Sequence, residues 1–347
     1  MIARLIAFTA AGLATAHRAA KAFQEAGWQV QLSAGFGEQK QNLAEWTGNA
    51  FRQAQAVIFV GATGIAVRAA APFLQEKAKD PALISMDEQA RFCIPLASGH
   101  LGGANRLALY LAEQLGSVPV ITTATDLNGV FAVDSWAASQ GFIVADPRAI
   151  KRISGRLLAG GQVGFYSQLP VSGPLPAGLY WAERKNCQLA LAYQTQDLPA
   201  DVLLLVPRCL TLGIGCRRGA TADQIEAAFL DLCGTEKIHP LAVGCVASVD
   251  KKADETGILA FCAARRLPFE CYPSALLEQL KGDFSDSAFV RRTVGTGCVC
   301  ERAACAEGAA LLTKKKSFAG KVTLALAKKD KTAFFDAAPF DGGREQT

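Results

Sequence analysis

A chain of 347 residues, half of them hydrophobic and 19% charged, has ample apolar material for globular cores but is long for a single one, so two or three domains are expected and disorder is not. The formal charge of +5 is mild, and the basic residues are spread out except at Lys314 to Lys316 and Lys328 to Lys331, where a solvated edge explains them more simply than a nucleic-acid stripe. Eleven cysteines, several inside apolar patterns such as LAVGCVAS and GILAFCAARR, fit the reduced, buried thiols of a cytoplasmic protein rather than a disulfide framework.

In chain order, MIARLIAFTAAGLATAHRAAKAF has an apolar run and an ATA tripeptide resembling a processing site. The run continues into a helix pattern that ends at Gly27 and is followed by the strand-like WQVQL, so strand, helix, strand is expected rather than an exported leader. No apolar run reaches the roughly 20 residues that span a bilayer, so no membrane role is expected. From Met1 to Ile143, short apolar runs (AVIFV, ALISMD, RFCIPL, PVITT) alternate with helical patterns, the signature of a mostly parallel sheet covered by helices, in which ligands gather where strands end. From 144 to 207 the texture changes to QVGFYS, LYWAE, QLALAYQ and DVLLLV among prolines and glycines, read as a small β-rich middle domain. From 208 to 330 the alternation returns as a second α/β domain, and residues 331 to 347 read as a loose tail. The fold class expected is α/β, two three-layer domains flanking a β-rich one.

Three strand-to-helix junctions offer chemistry. In AVIFVGATGIAVRAA, Gly61 and Gly64 open backbone N–H groups at a helix start, with Arg68 one turn in; a tight turn with a surface arginine is the bland alternative. In PLASGHLGGANRLA, one of only three histidines sits among glycines ahead of a helix whose Ala104, Leu107, Ala108, Leu111 and Leu115 form an ordinary core stripe. His100 is therefore expected at the sheet's carboxyl end beside unpaired helix donors, with Ser98, Gly99, Gly102, Gly103 and Asn105 around it. It acts there as a base or donor, or as a packed loop histidine. Thr122, Thr123, Thr125 and Asp126 in TTATDLNG, and Asp87 after ALISM, follow apolar strands and are either functional or caps. In LTLGIGCRRGATADQ, Thr221 and Gln224 have capping-box spacing, which leaves Arg217 and Arg218, next to Gly215, in the loop before the helix as a plausible carboxylate clamp or a solvated pair. Asp250, Lys252 and Glu255 in SVDKKADE and Gly295 and Thr296 in VGTG end two further strand patterns in the same domain. The C-x-C-x4-C spacing of Cys298, Cys300 and Cys305 does not match paired C-x2-C zinc sites, so no metal site is expected.

Taken together and in this order, GATGIAVR, PLASGHLGGAN, PVITTATD, LGIGCRRGAT, SVDKKADE and VGTGCV resemble the cobalt-precorrin-5A hydrolase (CbiG) family of anaerobic cobalamin biosynthesis, over nearly the whole chain. The resemblance implies a three-domain cytoplasmic enzyme acting on a cobalt-containing, partly built corrin ring with many carboxylates and one δ-lactone. It implies lactone opening and loss of the two-carbon fragment as acetaldehyde, giving cobalt-precorrin-5B, with no separate cofactor because the cobalt is part of the substrate. It also leaves room for transient contact with neighbouring pathway enzymes, and its C-terminal part resembles a stand-alone protein of the aerobic pathway. Cys298 departs from the family pattern and is given no function.

That chemistry assigns His100 as the base, with Asp87 and Asp126 as further catalytic candidates. The glycines become oxyanion donors, and the remaining polar residues named above hold the substrate's carboxylates. The rival from another class is a non-catalytic carrier of labile corrinoids, which needs the arginines and glycines but not His100. An unrelated α/β-hydrolase lacks its G-x-S-x-G elbow here.

Overall fold

The computed structural model describes residues 1–38, 40–75, 80–99 and 102–335. The first sheet comprises β1 (Ile2–Ala7), β2 (Gln29–Ala34), β3 (Ala56–Val60), β4 (Ala82–Met86), β5 (Phe92–Ala97) and β6 (Val118–Pro119). It is accompanied by α1 (Ala10–Glu25), α2 (Leu43–Gln53), α3 (Thr63–Ala70), α4 (Ala104–Leu115) and α5 (Ala124–Leu127). Its order is β2-β1-β3-β4-β5-β6, with the first four strands parallel. Helices cover both faces of β3 and β4, so every residue of AVIFV and ALISM is buried and the two strands read as unbroken apolar runs. The Thr9 hydroxyl accepts from the Gly12 amide and starts α1; Gly27, at φ +80°, turns the chain back, and Trp28 packs edge-on against Phe23 at 5.1 Å.

The far side of this sheet departs from the expected layout. Only Asp87 to Arg91 separate β4 from β5, and a parallel crossover needs a dozen residues or more, so β5 runs back antiparallel and β6 follows it in parallel. Ala97 consequently pairs with Leu83 at the start of β4. Ser98 and Gly99 therefore leave the sheet at the amino end of the parallel strands, opposite Gly61 and Asp87, and not at the carboxyl end.

The second sheet holds β7 (Phe142–Val144), β8 (Val163–Ser167), β10 (Leu179–Trp181), β11 (Leu189–Leu191) and β12 (Leu203–Pro207), in the order β10-β8-β11-β12-β7; β9 (Val171–Ser172) lies apart. All but β7 run parallel, and α6 (Val133–Ser139) and α7 (Arg148–Leu158) accompany them, so the middle region is α/β and not simply β-rich. A division between 143 and 144 would cut β7, because Trp136 of α6 already belongs to this core, edge-on to Phe142 at 5.5 Å and Phe165 at 6.0 Å.

The third sheet has β13 (Leu210–Cys216), β14 (Val243–Val249) and β15 (Phe269–Tyr272) in parallel, with β18 (Val322–Lys328) antiparallel to β13 and β16 (Ala310–Leu311) and β17 (Lys316–Phe318) antiparallel to β18. Its helices are α8 (Ala222–Glu236), α9 (Thr256–Arg265), α10 (Ser274–Gln279), α11 (Ala288–Val294) and α12 (Val299–Ala304). Thr221 and Gln224 form the expected capping box at α8. One continuous apolar core runs from Val133 through the second sheet into the third, whereas the first sheet keeps cores of its own on its two faces.

The start of the expected tail is ordered. The strand β19 (Ala333–Phe334) pairs with β9, the Trp136 indole donates to the Phe334 carbonyl at 2.8 Å, and Phe335 stacks on Trp136 at 4.6 Å. Packing the Phe335 ring against Trp136, Phe131 and Phe165 helps offset the cost of ordering this backbone; residues 336–347 lie outside the described residues. The basic runs around β18 are engaged in ion pairs, Lys314 with Asp283, Lys316 with Glu236 and Lys329 with Glu307, as a solvated edge would be. Among the described residues no helix is long and apolar enough to cross a membrane.

Candidate active site

The carboxyl end of β3 and β4 is largely explained by packing. A methyl group at Gly61 would lie 2.9 Å from the Phe8 ring, and one at Gly35 would lie 2.6 Å from it. These glycines thus admit Phe8 at the point where strand order reverses, the usual ligand crevice of such sheets. Gly64 meets nothing within 4 Å, and Arg68 is exposed. Asp87 closes the β4–β5 hairpin: one carboxylate oxygen accepts from the Gln89 amide at 3.0 Å and the other from the Phe92 amide at 2.7 Å. Both oxygens are used, and they sit at the opposite end of β4 from Ser98 and Gly99, so Asp87 does not share a site with them.

The amino end brings two of the sequence motifs together. Asn105, in the first turn of α4 and buried, donates from one amide nitrogen to the Thr123 hydroxyl at 2.6 Å and to the Asp126 carboxylate at 2.9 Å. The loop before it folds back on itself, the Ala104 amide donating to the Ser98 carbonyl and the Asn105 amide to the Gly99 carbonyl, both at 3.0 Å. Its glycines are demanded by that closure. A methyl at Gly102 would lie 2.3 Å from the Ser98 Cβ, one at Gly99 would lie 2.9 Å from the Asn105 Oδ1, and Gly103 has φ +78°. Ser98 itself is held at φ +57°, a conformation costly for any residue with a Cβ, and its buried hydroxyl has no hydrogen-bond partner among the described residues. Thr125 is buried beside Asp126, while Thr122 is exposed. His100 and Leu101 lie outside the described residues.

The carboxyl end of the third sheet gathers the remaining motifs along one rim. Arg217 and Arg218 follow β13 and are exposed; Arg218 makes a loose pair with the exposed Asp254 at 3.5 Å, and the Arg217 guanidinium has no partner among the described residues. Asp250 follows β14 and is exposed, and Lys251 beside it donates to the Thr293 carbonyl at the end of α11, at 3.3 Å. Gly295, at φ +92°, ends that helix. Gly215 is small because β18 presses on it: a methyl would lie 2.6 Å from the Thr323 hydroxyl. Thr296 is fully buried, which removes it from a binding surface.

Glu255 also proves to be internal. Only 4% exposed, it accepts from the Gly219 amide and from the Lys252 ammonium, each at 2.8 Å, and so fixes the arginine loop against the start of α9. It braces that loop, and neither it nor Lys252 is free to hold substrate. Burial alone would raise its carboxyl, but the Lys252 and Gly219 hydrogen bonds and the charges of Lys252 and Arg218 outweigh burial and hold it below the ordinary value of 4.5. Glu255→Gln is expected to lower stability by about 2 kcal/mol at pH 7. A depressed carboxylate stabilises the fold above its unfolded value, so the gap to wild type should shrink as pH falls from 4.5 through the lowered value. Melting curves of both proteins between pH 7 and pH 3 would show it; a gap constant across that range would remove the ion pair as its cause.

Comparison with known proteins gives two family matches, Cobalamin synthesis G N-terminal over residues 45–126 and Cobalamin synthesis G C-terminus over residues 210–327. The chain is 36% identical over 276 residues to a cobalt-precorrin-5A hydrolase of Salmonella typhimurium, covering 76% of this chain and 78% of that protein. It is 25% identical over 350 residues to one of Priestia megaterium, covering 93% and 94%. A crystal structure of a cobalamin biosynthesis protein G homologue from Sulfolobus solfataricus aligns over 95% of this chain and 97% of its own, at 18% identity and a TM-score of 0.42.

Proposed function

The chain belongs to the cobalt-precorrin-5A hydrolase (CbiG) family, and on that premise we propose that it opens the δ-lactone of cobalt-precorrin-5A and releases its two-carbon fragment as acetaldehyde, leaving cobalt-precorrin-5B. The observation that supports a catalytic centre in the first domain is the Asn105 amide, which ties Asp126 and Thr123 to a strained glycine loop whose buried Ser98 hydroxyl has no partner among the described residues. Strain and an unsatisfied buried donor persist where function requires them.

The reaction needs a base at two points. Water adds to the lactone carbonyl as a base takes its proton; the ring C–O bond then breaks and the leaving oxygen takes that proton back from the base, which leaves a carboxylic acid and a hydroxyl. A base next removes the hydroxyl proton, the adjacent C–C bond breaks, its electron pair enters the conjugated macrocycle, and acetaldehyde departs. His100 and Asp126 are the two bases proposed, and loop amides are proposed to meet the carbonyl oxygen as it gains charge. The chain needs no cofactor of its own, since the cobalt arrives within the substrate. The proposal carries a cytoplasmic setting and transient hand-over to neighbouring pathway enzymes with it, on family grounds.

Anchorage is assigned to the third sheet's rim, where exposed guanidinium groups can meet peripheral carboxylates bidentately. Replacing Arg217 and Arg218 together with alanine is expected to raise Kd for the corrinoid about tenfold or more and to flatten its salt dependence, with the melting temperature unchanged. Unchanged affinity in an absorbance titration would return the pair to solvated surface. The proposal as a whole is tested by incubating the purified protein with cobalt-precorrin-5A and assaying acetaldehyde. Tight binding without acetaldehyde would make the protein a carrier.

A further inference from the structure

Helix α11 is short, and most of its side chains are committed. Val290 and Val294, four residues apart, pack against Val249, Leu277 and Val299; Ser287 caps the Val290 amide; and Arg291 pairs with Glu278 and, at 2.9 Å, with Asp286. Phe289 lies off this apolar stripe. At 71% it is the most exposed large apolar side chain among the described residues, and no ring or cation packs against it there. Its helix is tied to the end of the sheet from which the arginine loop leaves: the Phe289 carbonyl accepts from the Thr293 hydroxyl, the Thr293 carbonyl accepts from Lys251, and Lys251 follows β14 as Arg217 and Arg218 follow its parallel neighbour β13. Exposed at this end of the sheet and on α11 are Arg217, Arg218, Lys251, Arg291 and Arg292, against the exposed carboxylates of Asp250, Asp254 and Asp286, an excess of positive charge.

We propose that Phe289 is a binding residue for the substrate: one face of the conjugated macrocycle rests on its ring while the neighbouring cations meet the peripheral carboxylates. The inference deepens the substrate reading above and rests on it. An isolated aromatic ring among cations suits a flat, polycarboxylated ring system, which needs one stacking surface and several charge partners. A protein partner needs a broad apolar patch, on the order of 800 Å² a side, and the charged neighbours of Phe289 do not supply one.

The test titrates full-length protein with cobalt-precorrin-5A, following the macrocycle's visible absorbance alongside acetaldehyde release. Phe289→Ala should raise both Kd and KM about three- to tenfold, with most of the loss in KM and the salt dependence of binding retained. Phe289→Trp should bind like the wild type, and its added fluorescence should fall as the macrocycle is titrated in. Wild-type affinity in Phe289→Ala, with the parent still releasing acetaldehyde, overturns the assignment and leaves the reaction standing. A parent that neither binds nor releases acetaldehyde sinks both. A shift in sedimentation coefficient in Phe289→Ala without a change in Kd would make the ring a contact between copies, and the assignment falls.

Discussion

Asp126→Asn is expected to slow acetaldehyde release by about 100-fold or more, while Asp87→Asn keeps turnover within about twofold of wild type and lowers the melting temperature by a few degrees instead. The two aspartates look alike in the sequence, each just past an apolar strand, and the fold separates them. Asp87 spends both oxygens on hairpin amides, and an asparagine there can accept only one of the two hydrogen bonds, leaving the other amide facing an NH₂ group. Asp126 lies at the other end of the sheet, where it accepts from the Asn105 side-chain amide, a hydrogen bond that an asparagine oxygen could still accept, so the fold should survive the exchange. What is lost is the capacity to take a proton, typically worth 10²- to 10⁴-fold. Single-turnover acetaldehyde assays on both variants, with melting curves, give the measurement. Wild-type turnover in Asp126→Asn, or a collapse of turnover in Asp87→Asn, would reverse the assignment.

Much of the fold was legible because it is local. The β1-α1-β2 succession, the Thr221 capping box and the buried runs of β3 and β4 follow from apolar periodicity and cap chemistry. The direction of β5 was legible too but misread: five residues between ALISM and FCIPLA already exclude a parallel crossover, and counting them would have moved the glycine loop to the right end of the sheet. The purpose of particular glycines was not legible, since Gly61 admits Phe8 and Gly102 admits Ser98 across distances no local pattern encodes. Glu255 was taken for a ligand contact because its burial depends on an amide 36 residues away. Asn105 was singled out for its place beside the histidine, but its bridge to Asp126 exists only in three dimensions. Phe289 was missed although its offset from the Val290 and Val294 stripe is visible in the sequence.

His100→Ala is expected to slow acetaldehyde release by two orders of magnitude or more while leaving the melting temperature and corrinoid affinity nearly unchanged. The other two histidines are accounted for differently. His17 is exposed on α1, and His239 accepts from the Leu241 amide at 3.2 Å as a cap, with burial holding its imidazole below the ordinary value. His100 sits in sequence between Gly99 and Gly102, in the segment that Asn105 joins to Asp126, and histidine is the side chain whose ordinary titration range lies nearest neutrality. Loss of a general base removes roughly 3 to 5 kcal/mol of barrier stabilisation, whereas loss of a merely packed histidine would appear in stability. The pH dependence separates it from Asp126. If His100 is the base in the slow step, the wild-type rate falls on the acid side of neutrality, because imidazolium accepts no proton, and that limb should vanish in His100→Ala but persist in Asp126→Asn. Wild-type release from His100→Ala would leave Asp126 as the base for both steps. Tight corrinoid binding with no acetaldehyde from either variant or parent would replace the hydrolase reading with the carrier.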